Sequence, residues 1–343
     1  MNFSSDNACG AAPEILQAIQ AANQGAVPSY GEDSLTQRLA AGMARVFEHP
    51  VSVFPVISGT AANALALASL VPPHGAIFSH SAAHIATDEC GAPEFFTHGA
   101  RLVTLEGALG LLRPEEVEKG LGRFIRDRVH HSQPAAVSIS QSTELGTCYA
   151  PEETRLLADF VHRQGMRLHM DGARFANAVA HFGCTPAEAS WKAGVDILSF
   201  GATKNGALGA EAVVFFNPGD AEGFEYRRKR SGHLLSKMRF VSAQLVCALE
   251  QDRWLSWAAR ANALARRLDL LLSDVRGVEI AWPVQANALF AWLPNGMIAR
   301  LRAHGARFLD WAQPSGGRTL VRLVTSFATP EADIDRLVSI TRG

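Results

Sequence analysis

Two residues carry the most specific chemistry in this chain, Asp171 and Lys204. Asp171 follows the apolar run Met166 to Met170 and is itself followed by a glycine. Lys204 sits in Gly201-Ala202-Thr203-Lys204-Asn205-Gly206, directly after a second apolar run, Val195 to Phe200. Short apolar runs that stop at turn residues predict buried strands. Ligands of an α/β sheet sit beyond the carboxyl ends of its strands, so an aspartate and a lysine at two such ends would face one pocket. A lysine amine can hold an aldehyde as a Schiff base, and a carboxylate can keep a ring nitrogen protonated so that the ring accepts electrons. Those are the two requirements of a pyridoxal phosphate enzyme. Arg174 is placed to reach the ring oxygen or a substrate carboxylate. Taken singly, the plainer readings are a surface Asp-Gly turn and an unrelated loop lysine. The pairing favours the chemistry.

Other polar groups recur at strand ends. Val51 to Ile57 reads as a strand leading into Ser58-Gly59-Thr60-Ala61-Ala62-Asn63, the start of an Ala/Leu-rich helix. Free N–H groups at such a start suit a phosphate, and a simple N-cap by Ser58 or Thr60 is the alternative. Ala76 to Ser79 leads into a segment holding His80 and His84. Their spacing fits one helix face, but the glutamate of a zinc-binding HExxH is replaced by Ser81, so no metal is expected. A flat imidazole beside a ring cofactor suits His84 better, with a purely structural histidine as the alternative. Ala136 to Gln141 ends in Ser142-Thr143-Glu144, which brings Glu144 towards the same pocket. The loop Pro28-Ser29-Tyr30-Gly31-Glu32-Asp33 is either a plain connection or a binding loop carrying Tyr30.

Positioning these groups is a matter of alternating strands and helices as far as about residue 216, which predicts a mostly parallel sheet covered on both faces. Beyond it, Arg239 to Trp257 and Ala259 to Val275 read as long helices. Short strands follow at Val278 to Ala281, Ala288 to Leu293 and Thr319 to Thr325. The division expected is a large domain over residues 1–249 and a small C-terminal α/β domain over 250–343. At 343 residues, 48% hydrophobic and 19% charged, the chain has the composition of a globular enzyme. A formal net charge of -1 gives no reason to expect nucleic acid or an acidic membrane as partner. The local cluster Tyr226-Arg227-Arg228-Lys229-Arg230 is either a solvated helix face or a phosphate contact. Five scattered cysteines with no C-x-x-C pair predict reduced thiols in a cytoplasmic protein. The first residues lack a signal-peptide layout, and no apolar run is long enough to span a bilayer.

Taken together, the motifs resemble those of the threonine aldolase family, in particular the low-specificity L-threonine aldolases, over nearly the whole chain. The resemblance rests on Ser4 to Asp6 (SSD), Tyr30 to Asp33 (YGED), Ser58 to Asn63 (SGTAAN) and Ala82 to Phe96 (AAHIATDECGAPEFF). It continues through His169 to Ala178 (HMDGARFANA), Ser199 to Gly206 (SFGATKNG) and Arg322 to Phe327 (RLVTSF). It implies a large domain of the aspartate aminotransferase type with a seven-stranded sheet, and a homotetramer whose active sites are shared between subunits. It further implies cleavage of L-threonine, L-allo-threonine and related L-β-hydroxy-α-amino acids to glycine and an aldehyde. By the same resemblance Lys204 carries pyridoxal 5'-phosphate, Asp171 pairs with the ring nitrogen, His84 stacks on the ring, and Gly59 and Thr60 bind the phosphate. Ser5, Arg174 and Arg322 would bind the substrate carboxylate. Tyr30 would approach from a partner chain, and Lys237 or Arg239 would add a phosphate contact. One departure stands out. Many members carry a histidine where this chain has Glu144, which leaves the base for the β-hydroxyl open between Glu144, His84 and a water held between them.

A phenylserine-type preference is the alternative within this chemistry. A dinucleotide-binding oxidoreductase would also alternate strands and helices, but Gly59 lacks the companion glycines of G-x-G-x-x-G. A non-catalytic binding protein would leave Lys204, Asp171 and His84 without a task.

Overall fold

A computed structural model describes all of residues 1–343. The apolar runs form strands β1 (Ser52–Val56), β2 (Gly75–His80), β3 (Arg101–Leu105), β4 (Gln133–Ser140), β5 (Arg167–Gly172), β6 (Ile197–Gly201) and β7 (Glu211–Phe215). They make one seven-stranded sheet in the order β1-β7-β6-β5-β4-β2-β3. Strands β2 to β6 run parallel, and β7 is antiparallel to both its neighbours, β1 and β6. The mostly parallel α/β architecture expected from the sequence is therefore present. Strands β2, β6 and β7 are buried at every residue, as strands covered on both faces must be.

Helices α1 (Pro13–Ala22) and α2 (Ser34–Val46) pack against a later helix, Arg239–Leu249. Helix α3 (Gly59–Leu70) is different in kind. Its residues from Ala61 to Ala68 are all buried, so it has no solvated face. Its alanines let the helix approach the sheet closely, and its N-terminal end opens at the carboxyl edge of the strands. The remaining elements include helices Pro151–Arg163 and Phe175–Phe182, which follow β4 and β5.

The C-terminal part is built on strands β8 (Glu279–Ile280), β9 (Ala288–Pro294), β10 (Leu309–Asp310) and β11 (Arg318–Val324), antiparallel in the order β10-β11-β9-β8. Helices Arg253–Ser273, Asn295–Ala303 and Glu331–Arg342 cover it, and its core gathers Leu268, Leu289, Val321 and Ile334. Phe3 belongs to that same core. The chain's first residues reach it by pairing with residues from the other end. Asn2 bridges Arg307, the Phe3 N–H donates to the Arg307 carbonyl at 2.8 Å, and the Val324 N–H donates to the Phe3 carbonyl at 2.8 Å.

One expected element is cut differently. The helix expected over Arg239 to Trp257 ends at Leu249, and a new one starts at Arg253. Gln251 and Asp252 take left-handed backbone with φ of 57° and 51°, which no helix continues through. No helix of the structure is long and apolar enough to cross a membrane.

Candidate active site

The carboxyl edge of the large sheet carries a cavity of about 570 Å³. Three parallel strands deliver its floor. Asp171 on β5 lies between Ser140 of β4 and Ser199 of β6 in the strand register, so its carboxylate stands at the middle of the sheet edge. It is 5% exposed. Its Oδ1 accepts from the Ala173 N–H at 3.0 Å, and its Oδ2 accepts from Asn63 Nδ2 at 2.9 Å. The two strand ends meet tightly here. A side chain added at Gly201 would lie 2.6 Å from the Ala173 Cα, and one at Gly172 would lie 2.7 Å from the Ser199 carbonyl oxygen.

Lys204 sits in the short turn Thr203–Asn205 that follows β6. The buried Glu211 carboxylate anchors that turn by accepting from the Ala202 N–H at 3.1 Å, and burial raises its own pKa to about 7. Gly206 closes the turn at φ 98°, against the ring of Trp257, where a side chain would not fit. The Lys204 amine has no hydrogen-bond or ion-pair partner in the protein and lines the cavity. The Arg174 guanidinium, and after it burial, lower the amine's pKa from the ordinary lysine value. An unpaired lysine that gives up its proton more readily is a nucleophile.

The end of α3 forms another wall. Ser58 caps it, its Oγ accepting from the Ala61 N–H at 3.3 Å, while Gly59 and Thr60 line the cavity. A side chain built at Gly59 would meet nothing within 4 Å, so the backbone there is bare towards the space. Asn63, one turn into the same helix, is buried and donates from Nδ2 to both Asp171 and Glu89, the latter at 2.8 Å. Glu89 also accepts from His84 Nδ1 at 2.8 Å. That hydrogen bond is the main reason the His84 pKa lies above the usual imidazole value, and it leaves Nε2 without a protein partner. His80, by contrast, is spent on the turn that follows β2, with its ring nitrogens on the backbone of Ala82 and Gly107.

Glu144 faces Asp171 from the loop after β4. Its Oε1 accepts from the His84 backbone N–H at 2.9 Å, and Oε2 has no protein partner. Burial, and next the nearby Asp171 charge, raise its pKa to about 7. On the opposite side Arg174 donates Nε and Nη2 to Asp6 at 2.7 and 2.9 Å, and Asn287 donates to the same Asp6 carboxylate at 3.0 Å. Burial alone would raise the Asp6 pKa. The charge and hydrogen bonds of Arg174, together with Lys204 and Asn287, outweigh it and hold the carboxyl below the usual range.

The cavity thus brings together Ser5, Gly59, Thr60, His84, Glu144, Asp171, Arg174, Lys204 and Arg322 from distant parts of the chain. Tyr30 is not among its lining residues and is 46% exposed. Lys237 and Arg239 do not line it either, and Arg239 donates to the Gly25 carbonyl at 3.1 Å. Sequence reasoning gave no role to Asp6, Asn63, Glu89, Glu211 or Trp311. The first three stood inside quoted motifs, so the motifs themselves were the signal. Glu211 and Trp311 had none.

A phosphate, an aldehyde and a ring nitrogen would all find complementary groups in this cavity: the bare α3 terminus, the unpaired Lys204 amine and the buried Asp171 carboxylate. On a sheet of this order, such a set defines the α/β scaffold on which pyridoxal phosphate enzymes of the aspartate aminotransferase type are built. Residues 2–294 match the beta-eliminating lyase family, and the chain belongs to that family. It is 43% identical over 341 residues to a low specificity L-threonine aldolase of a Pseudomonas species, covering 99% of this chain and 97% of that one. A second relative of the same description, from Pseudomonas aeruginosa, is 42% identical over 340 residues, covering 99% and 96%. Among solved structures, a threonine aldolase of Leishmania major superposes with a TM-score of 0.94 at 29% identity, covering 99% of this chain and 98% of that one. The family match sets the dinucleotide-binding alternative aside.

Proposed function

We propose that this enzyme is a low-specificity L-threonine aldolase that cleaves L-threonine, L-allo-threonine and related L-β-hydroxy-α-amino acids to glycine and an aldehyde. The observation that carries the reading is the unpaired Lys204 amine in one cavity with the buried Asp171 carboxylate. Pyridoxal 5'-phosphate would be held by Lys204 at its aldehyde, by Asp171 at its ring nitrogen, by His84 against its ring, and by Gly59 and Thr60 at its phosphate. When bound, it supplies the electron sink for the pair left at the substrate Cα when the Cα–Cβ bond breaks.

This chain's own residues do the rest. Arg322 binds the substrate carboxylate, with Ser5 and the free Nη1 of Arg174 beside it. Asp6 fixes the Arg174 plane, so no orientation has to be found on binding. Asn63 donates to Asp171 and Glu89 at once and so holds two carboxylates in place near each other. Glu144 Oε2 and His84 Nε2 both lack a protein partner, and both residues line the cavity. A water between them takes the hydroxyl proton and passes it to Glu144, whose carboxyl burial raises to about 7, in the range suited to a general base. A proton returned to Cα completes glycine.

The proposed assembly is a homotetramer in which Tyr30 enters a neighbour's site. Exposed Tyr30, Leu208 and Tyr226 support it, as does Lys229, which lies 4.4 Å from the Tyr30 ring centroid and stiffens that loop. The five unpaired cysteines support a cytoplasmic location. Borohydride reduction of the cofactor-loaded protein followed by peptide mapping tests the central assignment. The label is expected on Lys204, and a label on Lys192 or Lys237 would overturn it.

A further inference from the structure

The two arginines of the cavity are held in different ways. Arg174 has Asp6. Arg322, on β11, has no acidic partner within ion-pair distance; its Nη2 lies 3.5 Å from the Ser4 carbonyl and its buried Nε has no partner. Burial, and after it the Arg174 charge, both work against its own charge. What it does have is an aromatic face, for the guanidinium carbon lies 5.1 Å from the centroid of Trp311. The β10–β11 pairing accounts for this. Leu309 is paired with Arg322, and the Trp311 N–H donates to the Leu320 carbonyl at 2.8 Å, so Trp311 is the diagonal neighbour of Arg322 across the two strands.

Trp311 is itself packed from behind. It meets Phe290 edge-on at 5.1 Å, Phe290 lies 4.8 Å from Trp282, and Trp282 Nε1 donates to the Leu145 carbonyl at 2.7 Å. That carbonyl belongs to the residue after Glu144. A stack of three rings therefore runs from the small sheet to the loop that carries Glu144.

We propose that Trp311 is a positioning residue for substrate binding: its indole face holds the Arg322 guanidinium in the cavity, and the Trp282–Phe290–Trp311 stack ties that guanidinium to the Glu144 loop. An acidic partner would occupy the in-plane N–H groups that a substrate carboxylate needs. An indole ring takes up none of the guanidinium's N–H donors and so leaves them available to a carboxylate. The inference rests on the reading that Arg322 binds the substrate carboxylate.

The test uses cofactor-loaded Trp311→Leu, Trp311→Phe, Arg322→Lys and the Trp311→Leu/Arg322→Lys double variant. It reads KM and kcat for threonine, glycine affinity by equilibrium titration, and the melting temperature. Trp311→Leu is expected to raise KM and weaken glycine about tenfold, with kcat falling far less, and Trp311→Phe to recover most of the loss. Binding of an amino alcohol without a carboxylate should not change. The double variant should bind glycine no worse than Arg322→Lys, because the indole acts through the arginine. Unchanged glycine affinity in Trp311→Leu, or losses that add in full, would overturn the inference while leaving Arg322 in its role. Unchanged glycine affinity in Arg322→Lys would overturn the carboxylate reading and the inference with it. Should Trp311→Leu lose its fold, Trp311→Met, which keeps bulk without a π-face, is read in its place, with the same outcomes deciding.

Discussion

Glu144 concentrates the chemistry that distinguishes this chain at the scale of single residues. Its neighbours are Asp171, Arg174 and the His84 backbone, and its buried carboxyl is pushed up to about 7. A carboxylate must be ionised to accept a proton, so cleavage should rise as the pH climbs through that value and level off above it. Glu144→Gln is expected to lower kcat for threonine about 10²-fold and to remove the acidic limb of the pH–rate profile, while glycine still binds. An unchanged profile would assign Glu144 a structural place at the end of β4. The position was visible in the sequence as a departure from the family pattern. Its hydrogen bond from the His84 backbone was not, because that N–H comes from another strand's loop, and no local spacing relates the two.

Among the secondary-structure elements, the convergence of β5 and β6 decides how close Asp171 and Lys204 can come. Both strands end in glycines whose missing side chains let the chains touch. Gly201→Ala would place a methyl 2.6 Å from the Ala173 backbone, which cannot yield as a flexible side chain would. A loss of about 1–3 kcal/mol in the denaturation of the cofactor-free protein is expected. Slower trapping by borohydride at Lys204 should accompany it; full stability would mean that the strands can separate at no cost. These strands were legible in the sequence because each is a short apolar run stopped by turn residues. The break at Gln251 and Asp252 was not, since neither is a glycine or proline and the helical spacing runs on through them. Nor was the place of Phe3. Three residues carry no period, and their partner strand lies at the other end of the chain.

At the scale of the whole molecule, Tyr30, like Lys237 and Arg239, has no task in its own cavity. If the site is shared, two variants with different defects should repair each other. Lys204→Ala and Tyr30→Ala subunits, dissociated and reassembled together, are expected to regain about a quarter of wild-type activity, since half the pairs are mixed and each mixed pair has one intact site. No recovery above the separate variants would mean that each site is complete within one chain. The pairing of the chain's two ends has a different consequence, one of timing. Phe3 is tied to Arg307 and Val324, and Asp6 is tied to Asn287 across 281 residues of sequence. A chain leaving the ribosome exposes residues 2–6 well before their partners. Asp6 cannot settle against Asn287, and so cannot fully fix Arg174, until the chain has been made beyond that residue. The seven-stranded sheet can form before that moment, whereas the carboxylate-binding side of the cavity has to wait for it.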